Sequence, residues 1–130
     1  MLSLAEYRDF FMDKLAKEAR VEERRKHPRK PMTGWVEIWG ERADETLNGY
    51  VSNVSLTGIA VYTKELLAPG TSILLNLHFF GKTRKESIRA LRGRVISSVK
   101  IENSYQLGIH FHEPITKERE PVLFSYLTEG

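Results

Sequence analysis

The spacing of apolar residues changes abruptly at Gly34, and a stretch patterned for a helix cannot serve equally as a strand. Before that point Leu4, Tyr7, Phe11 and Leu15 recur at intervals of three and four, with Phe10 and Ala19 alongside and charged residues on the other face. This is the pattern of an amphipathic helix. Ser3 followed by Glu6 has the form of a capping box, in which hydroxyl and carboxylate each satisfy a free amide at a helix start. After Gly34 the period is two. Trp35, Glu37 and Trp39 alternate with Val36 and Ile38; Ile59, Val61 and Thr63 with Ala60 and Tyr62; Ile73, Leu75 and Leu77 with Leu74, Asn76 and His78. Further strands are predicted over Thr46 to Val54, Ser87 to Lys100 and Tyr105 to Glu113. Turn residues separate them at Ala68-Pro69-Gly70, Gly81-Lys82-Thr83 and Glu102-Asn103-Ser104. Six strands without intervening helices point to a mainly β chain whose antiparallel sheet closes into a small barrel. Gly93 falls inside a run too long for one flat strand, which predicts a bulge or bend near Arg92 to Arg94. Val122, Leu123, Tyr126 and Leu127 then fall at helical spacing, predicting a terminal helix over 116–127.

A chain of 130 residues with 41% hydrophobic content is near the usual size of one domain. The expected organisation is an N-terminal helix over 1–22 and a barrel unit over 23–130, which includes a connector at 23–31. Zero cysteines exclude a disulfide framework, thiolate metal sites and a cysteine nucleophile, and fit a reducing, cytoplasmic setting. The first twenty residues are interrupted by Glu6, Arg8, Asp9, Asp13 and Lys14, so they contain neither the apolar core of a signal peptide nor a membrane span. A net charge of +3 and a pI near 9.2 are too mild for a duplex-coating protein. Any preference for anions must be local.

The connector is where that charge gathers. Glu23 to Pro31 reads ERRKHPRKP, with five basic side chains in nine positions. Residues before proline are pushed out of the helical region, so His27-Pro28 and Lys30-Pro31 predict an extended segment. Its cations repel one another and have little apolar surface to bury, so Arg24 to Lys30 is expected to be disordered until an anion orders it. A second short stretch, NVSLTG from Asn53 to Gly58, stands at a strand end. Asn53 and Ser55 are two apart and are expected to share a face, while Gly58 permits a tight turn or the close approach of a ligand to the backbone.

Taken together, Arg25-Lys-His-Pro-Arg29 reads as RxxxR and Asn53-Val-Ser55-Leu-Thr-Gly58 as [D/N]xSxxG, and the pair in this order resembles the signature of PilZ domains. Gly49-Tyr-Val, Ile59-Ala-Val, Pro69-Gly70, Gly93-Arg-Val and Leu107-Gly-Ile-His-Phe111 are also similar to the family, over roughly Glu23 to Leu127. The resemblance implies a six-stranded barrel that binds cyclic di-GMP, the bacterial second messenger. It implies that Arg25 and Arg29 contact phosphate and guanine, that Asn53 and Ser55 bind from the barrel side, and that Gly58 holds the turn. Arg24 adds a guanidinium that members binding two stacked ligand molecules tend to have, which implies two ligands per site. The residue types suit that chemistry. Arginine's planar fork makes paired hydrogen bonds to guanine O6 and N7 or to phosphate oxygens and can lie flat on a purine. The motif admits Asn or Asp at position 53; Asn53 offers one acceptor oxygen plus donors where aspartate offers two acceptors.

The expected role is a noncatalytic receptor or adaptor. Collapse of the connector onto the ligand would reposition the N-terminal helix and signal to an unidentified partner protein. No cofactor, metal, duplex DNA or membrane insertion is expected. His110 and His112 are two apart and could share a face, but no third ligand accompanies them at metal-like spacing. No nucleophile-elbow or phosphate-loop pattern anchors an enzymatic reading. Two alternatives stand beside the receptor. One is a barrel that binds RNA or single-stranded DNA through Arg24, Arg25, Arg29, Arg84, Arg89, Arg92 and Arg94, with Trp35, Trp39 or Tyr50 for stacking. The other is an interaction module that works through its helices without a ligand.

Overall fold

The computed structural model describes residues 28–40 and 46–129. The predicted N-terminal helix, Arg24 and Arg25 lie outside the described residues.

Seven strands and one helix follow in chain order: β1 (Lys30–Pro31), β2 (Gly34–Gly40), β3 (Leu47–Val54), β4 (Gly58–Thr63), β5 (Ser72–Phe80), β6 (Lys85–Ile101), β7 (Ser104–Phe111) and α1 (Pro121–Thr128). All pairings are antiparallel, in the order β3-β2-β5-β6-β7-β4, and a further β3–β4 pairing closes the ring. Closure leaves no long free edge to recruit another chain. The expected barrel is thus observed, with six wall strands and the two-residue β1 added against the end of β3.

Alternation explains the wall. Val36 and Ile38 point inward from β2, and Ile73, Leu75, Leu77 and Phe79 from β5. Ile59, Val61, Val95, Leu107, Ile109 and Phe111 complete a buried core. Each such side chain contributes about 1.5–3 kcal/mol when fully removed from water. Strict alternation fails at β3, where Val51 and Val54 both turn toward the core although they are three residues apart. The register absorbs the extra residue as a bulge, with Val51 opposite Val61 and Asn53 opposite Ala60. In a strictly alternating strand Asn53, two residues on, would share the inward face of Val51. The bulge instead pairs it with Ala60, whose neighbours on β4 are the inward-facing Ile59 and Val61.

Long β6 also bends, but not at Gly93 as the sequence predicts. Its register slips opposite Leu75–Leu77, at Arg89–Ala90, and again between Val95 and Ser97. At the first slip Ala90 adopts φ 59°, and its amide donates to Asn76 Oδ1 at 3.0 Å. Gly93 serves a different purpose. A Cβ there would lie 2.9 Å from both the His110 carbonyl oxygen and Ile109 Cγ2, so glycine is what lets β7 sit close.

The terminal helix is shorter than the predicted 116–127 and begins at Pro121. Proline suits the first turn of a helix because its missing N–H would be unpaired there anyway. The preceding residues turn instead: the Arg119 amide donates to Thr116 Oγ1, and the Ile115 amide to the Leu56 carbonyl. α1 covers one end of the barrel, burying Leu123 completely and setting Tyr126 edge-on to Phe79 at 5.6 Å.

Lys30 fastens the connector's exit to that helix. Its ammonium donates to the carbonyls of Tyr126 and Glu129, 2.8 Å each, and stands 5.0 Å over the Tyr126 ring. Tyr126 in turn donates its hydroxyl to the Pro31 carbonyl at 2.9 Å. A cation at the last carbonyls of a helix also complements the helix dipole. The expectation of disorder through Lys30 is therefore corrected at its downstream end: Lys30 and Pro31 pair with Val54 and Asn53. The sequence reading weighed the like charges but not the unpaired helix carbonyls waiting beyond the barrel.

Candidate ligand cleft

Side chains alternate along an extended chain, so Arg29 and Lys30 depart to opposite sides. Lys30 goes to α1. Arg29, half-buried, instead lines a cleft of about 250 Å³ with Ser55, Thr57, Gly58, Ile96, Ile109 and His110. The structure thus brings together Arg29 from the first motif and Ser55 and Gly58 from the second.

The NVSLTG turn builds the far wall. The amides of Thr57 and Gly58 both donate to Ser55 Oγ at 3.2 Å, and the Ser55 amide donates to the Gly58 carbonyl at 2.8 Å. Ser55 is 3% exposed. Its hydroxyl oxygen is the acceptor that shapes the loop, the usual use of serine in such turns. Gly58 does not need an unusual backbone angle. It needs the absence of a side chain, because a Cβ would lie 2.5 Å from the Ile109 carbonyl oxygen of β7. The close approach foreseen for this glycine is that of a neighbouring strand. The turn is then tied to β7 a second time by the Phe111 amide, which donates to the Thr57 carbonyl at 2.8 Å.

Asn53 stands on β3 opposite both Pro31 and Ala60. Its amide nitrogen donates to Ser52 Oγ at 3.3 Å, but its Oδ1 is buried without a hydrogen-bond partner. An unpaired buried acceptor costs about 1–3 kcal/mol, so this oxygen is a group in want of a donor. Asn53 is not among the residues that line the cleft with Ser55, whose hydroxyl turns instead to the amides of Thr57 and Gly58.

Thr57, Ile96, Ile109 and His110 are cleft residues that motif reasoning missed. Gly58 pairs with His110 and His110 with Arg94, so the imidazole lies one strand away from the turn glycine and beside a guanidinium. Only a register could have revealed this, since the strand pattern around His110 is legible but its neighbours are not. His112 lies further along the same exposed face. Among the described residues no group of three or more histidines and carboxylates gathers into a metal set. No described helix is long and apolar enough to cross a membrane.

A closed antiparallel barrel, capped by a terminal helix and entered by an arginine strand that meets an NxSxxG turn, is the architecture of a PilZ domain. The PilZ domain family matches residues 23–129, and the chain belongs to it. Three solved structures resemble this one in fold. The Bacillus subtilis inhibitor of motility, MotI/DgrA, gives a TM-score of 0.65 at 18% identity, covering 81% of this chain and 50% of that one. This chain therefore spans half the length of that relative. The PilZ domain of YcgR from Escherichia coli with c-di-GMP gives 0.57 at 14% identity, covering 82% and 90%. The PilZ domain of CeSA from a cellulose-synthesizing bacterium gives 0.50 at 16% identity, covering 78% and 95%. A search of curated proteins returned no match.

Proposed function

We propose that the chain is a noncatalytic receptor for cyclic di-GMP that reports to a partner protein. The observation that carries this reading is the cleft itself, in which Arg29 meets Ser55 and Gly58 although the two motifs are distant in sequence. Membership of the PilZ family and the likeness to a PilZ domain with c-di-GMP support the choice of ligand. The chemistry agrees with it. Cyclic di-GMP carries phosphodiesters and guanines, so it calls for guanidinium forks together with polar groups at the purine edge. Arg29 supplies a fork at the cleft, and Asn53 Oδ1 supplies an unpartnered acceptor on the adjoining strand. Arg24 and Arg25 would complete the grip from the connector, with room for a second stacked ligand molecule.

In this reading the connector closes over the ligand from its upstream end only. Lys30 and Pro31 are already fastened to β3 and α1, so they act as the fixed point about which Arg24 to Arg29 fold and the N-terminal helix is drawn in. Cytoplasmic placement follows from the ligand. Titration calorimetry tests the proposal: cyclic di-GMP should bind and GTP should not. Arg29→Ala should weaken binding by about 1–3 kcal/mol, which is roughly 5- to 150-fold. Equal indifference to both nucleotides by the unaltered chain would refute it.

A further inference from the structure

Beyond the cleft, the register of β5, β6 and β7 assembles a second charged surface. Arg94 lies opposite His110, and the His112 amide donates to the Arg92 carbonyl at 2.9 Å, which places Arg92 beside His112. Arg92 and Arg94 are two apart on one strand, as are His110 and His112 on the other, so all four project from the same face. All four are exposed. Among the described residues neither arginine forms an ion pair, and Glu113, which with Glu120 lines a neighbouring cleft beside Arg92 and His112, is engaged by Arg119. The result is a square of two guanidiniums and two imidazoles in which, among the described residues, neither guanidinium is held in an ion pair.

An apolar groove adjoins this square. Leu74 pairs with Arg92 on one side and with Trp39 on the other. Trp39, Leu74, Ile73, Arg92 and His112 line a hollow of about 310 Å³, and Leu74 is 41% exposed. Two guanidiniums with two imidazole N–H donors beside an apolar hollow have a definite complement. We propose that this face docks an acidic segment of a partner protein, with carboxylates over the square and one large apolar side chain seated against Trp39 and Leu74.

The charge pattern favours a peptide over a nucleic acid. Strand-tracking nucleic-acid sites align successive aromatic platforms along a basic groove. On this face the next aromatic along β2 is Trp35, and Glu37 projects between it and Trp39. A hydrogen bond from His78 holds the Glu37 carboxyl below its ordinary pKa, so a carboxylate stands between the two indoles along β2. A short acidic peptide confined to the square and the hollow never meets it.

The square shares His110 with the cleft of Arg29 but not the proposed messenger contacts of Arg29 and Asn53, and its test requires no cyclic di-GMP. Isotope-labelled full-length chain is titrated with synthetic peptides EEEFEEE, EEEAEEE and KKKFKKK and with an oligothymidine, following amide and indole NMR signals. EEEFEEE should shift the amides of Arg92, Arg94, His110 and His112 and the Trp39 indole. Its affinity should exceed that of EEEAEEE and fall about tenfold or more in the Arg92→Glu/Arg94→Glu double variant. Both positions are exposed strand residues, and an unchanged melting temperature with intact core signals will show that the variant folds. Shifts scattered over the surface, an unaltered affinity in the folded double variant, or oligothymidine binding the square more tightly than EEEFEEE would each overturn the proposal.

Discussion

Replacing Lys30 with methionine keeps the aliphatic stem but removes a cation that donates to two carbonyls at the end of α1, at 2.8 Å each. One of these bonds is partly buried and the other is exposed. A hydrogen bond from a charged donor contributes about 1.5–3 kcal/mol when sheltered, and an exposed one far less because water replaces it. The released carbonyls lie at a frayed helix end that water can reach, so the combined loss should be about 1–2 kcal/mol. For a domain of this size that lowers the melting temperature by about 5–10 °C. Urea melts followed by tryptophan fluorescence should show a lower midpoint with an unchanged slope, since no additional surface is exposed on unfolding. Lys82→Met provides the control. Lys82 also reaches the chain end, pairing with the Glu129 carboxylate at 2.8 Å, but its side chain is 80% exposed and its loss should not move the midpoint measurably. Equal stability of Lys30→Met and the unaltered chain, or equal losses in the two variants, would refute the fixed-point role of Lys30.

Gly58→Ala should destabilise the barrel by about 2 kcal/mol or more, because its Cβ must push β7 away at the Ile109 carbonyl; a denaturant melt checks this. Deleting Ser52 should be tolerated far better than inserting a residue beside it, since the deletion leaves Val51, Asn53 and Val54 opposite Val61, Ala60 and Ile59 in strict alternation whereas an insertion flips a face, and paired urea melts will show the difference. Glu37 titrates below its ordinary value because of its hydrogen bond from His78, with Asn76 adding to the effect. A carboxyl depressed in the folded state stabilises the fold above its unfolded pKa and loses that contribution as pH falls through the lowered value. Melts of Glu37→Gln below about pH 5 should therefore show a shallower acid limb than the unaltered chain.

The strands were legible because wall residues outside the bulges of β3 and β6 obey a period of two, and the observed strand ends lie close to the predicted ones. Where the reading failed, a tertiary demand outweighed a local pattern. Thr116 to Arg119 carry no helix-breaking residue, yet the Ile115 amide is drawn to Leu56 and the helix waits for Pro121. Gly93 looked like a hinge because glycine often is one, but the absent side chain serves the packing of β7. Arg29, Ser55 and Gly58 were found together because two short motifs named them. Ser55's hydroxyl, however, is directed to the turn amides, and nothing in Asn-Val-Ser reveals that Ser52 is an extra residue. His110 and Lys30 could not be assigned from sequence, because an imidazole in a strand and a lysine in a basic run acquire their roles only from register.

His110 belongs at once to the wall of the cleft that holds Arg29 and to a corner of the Arg92–Arg94 square. A single imidazole N–H cannot be donated to two anions at once. With both faces occupied, thermodynamic reciprocity makes each guest loosen the other by the same factor. A rise in messenger would then act as an eviction signal, and the receptor would hold its acidic client while the cell's nucleotide level is low.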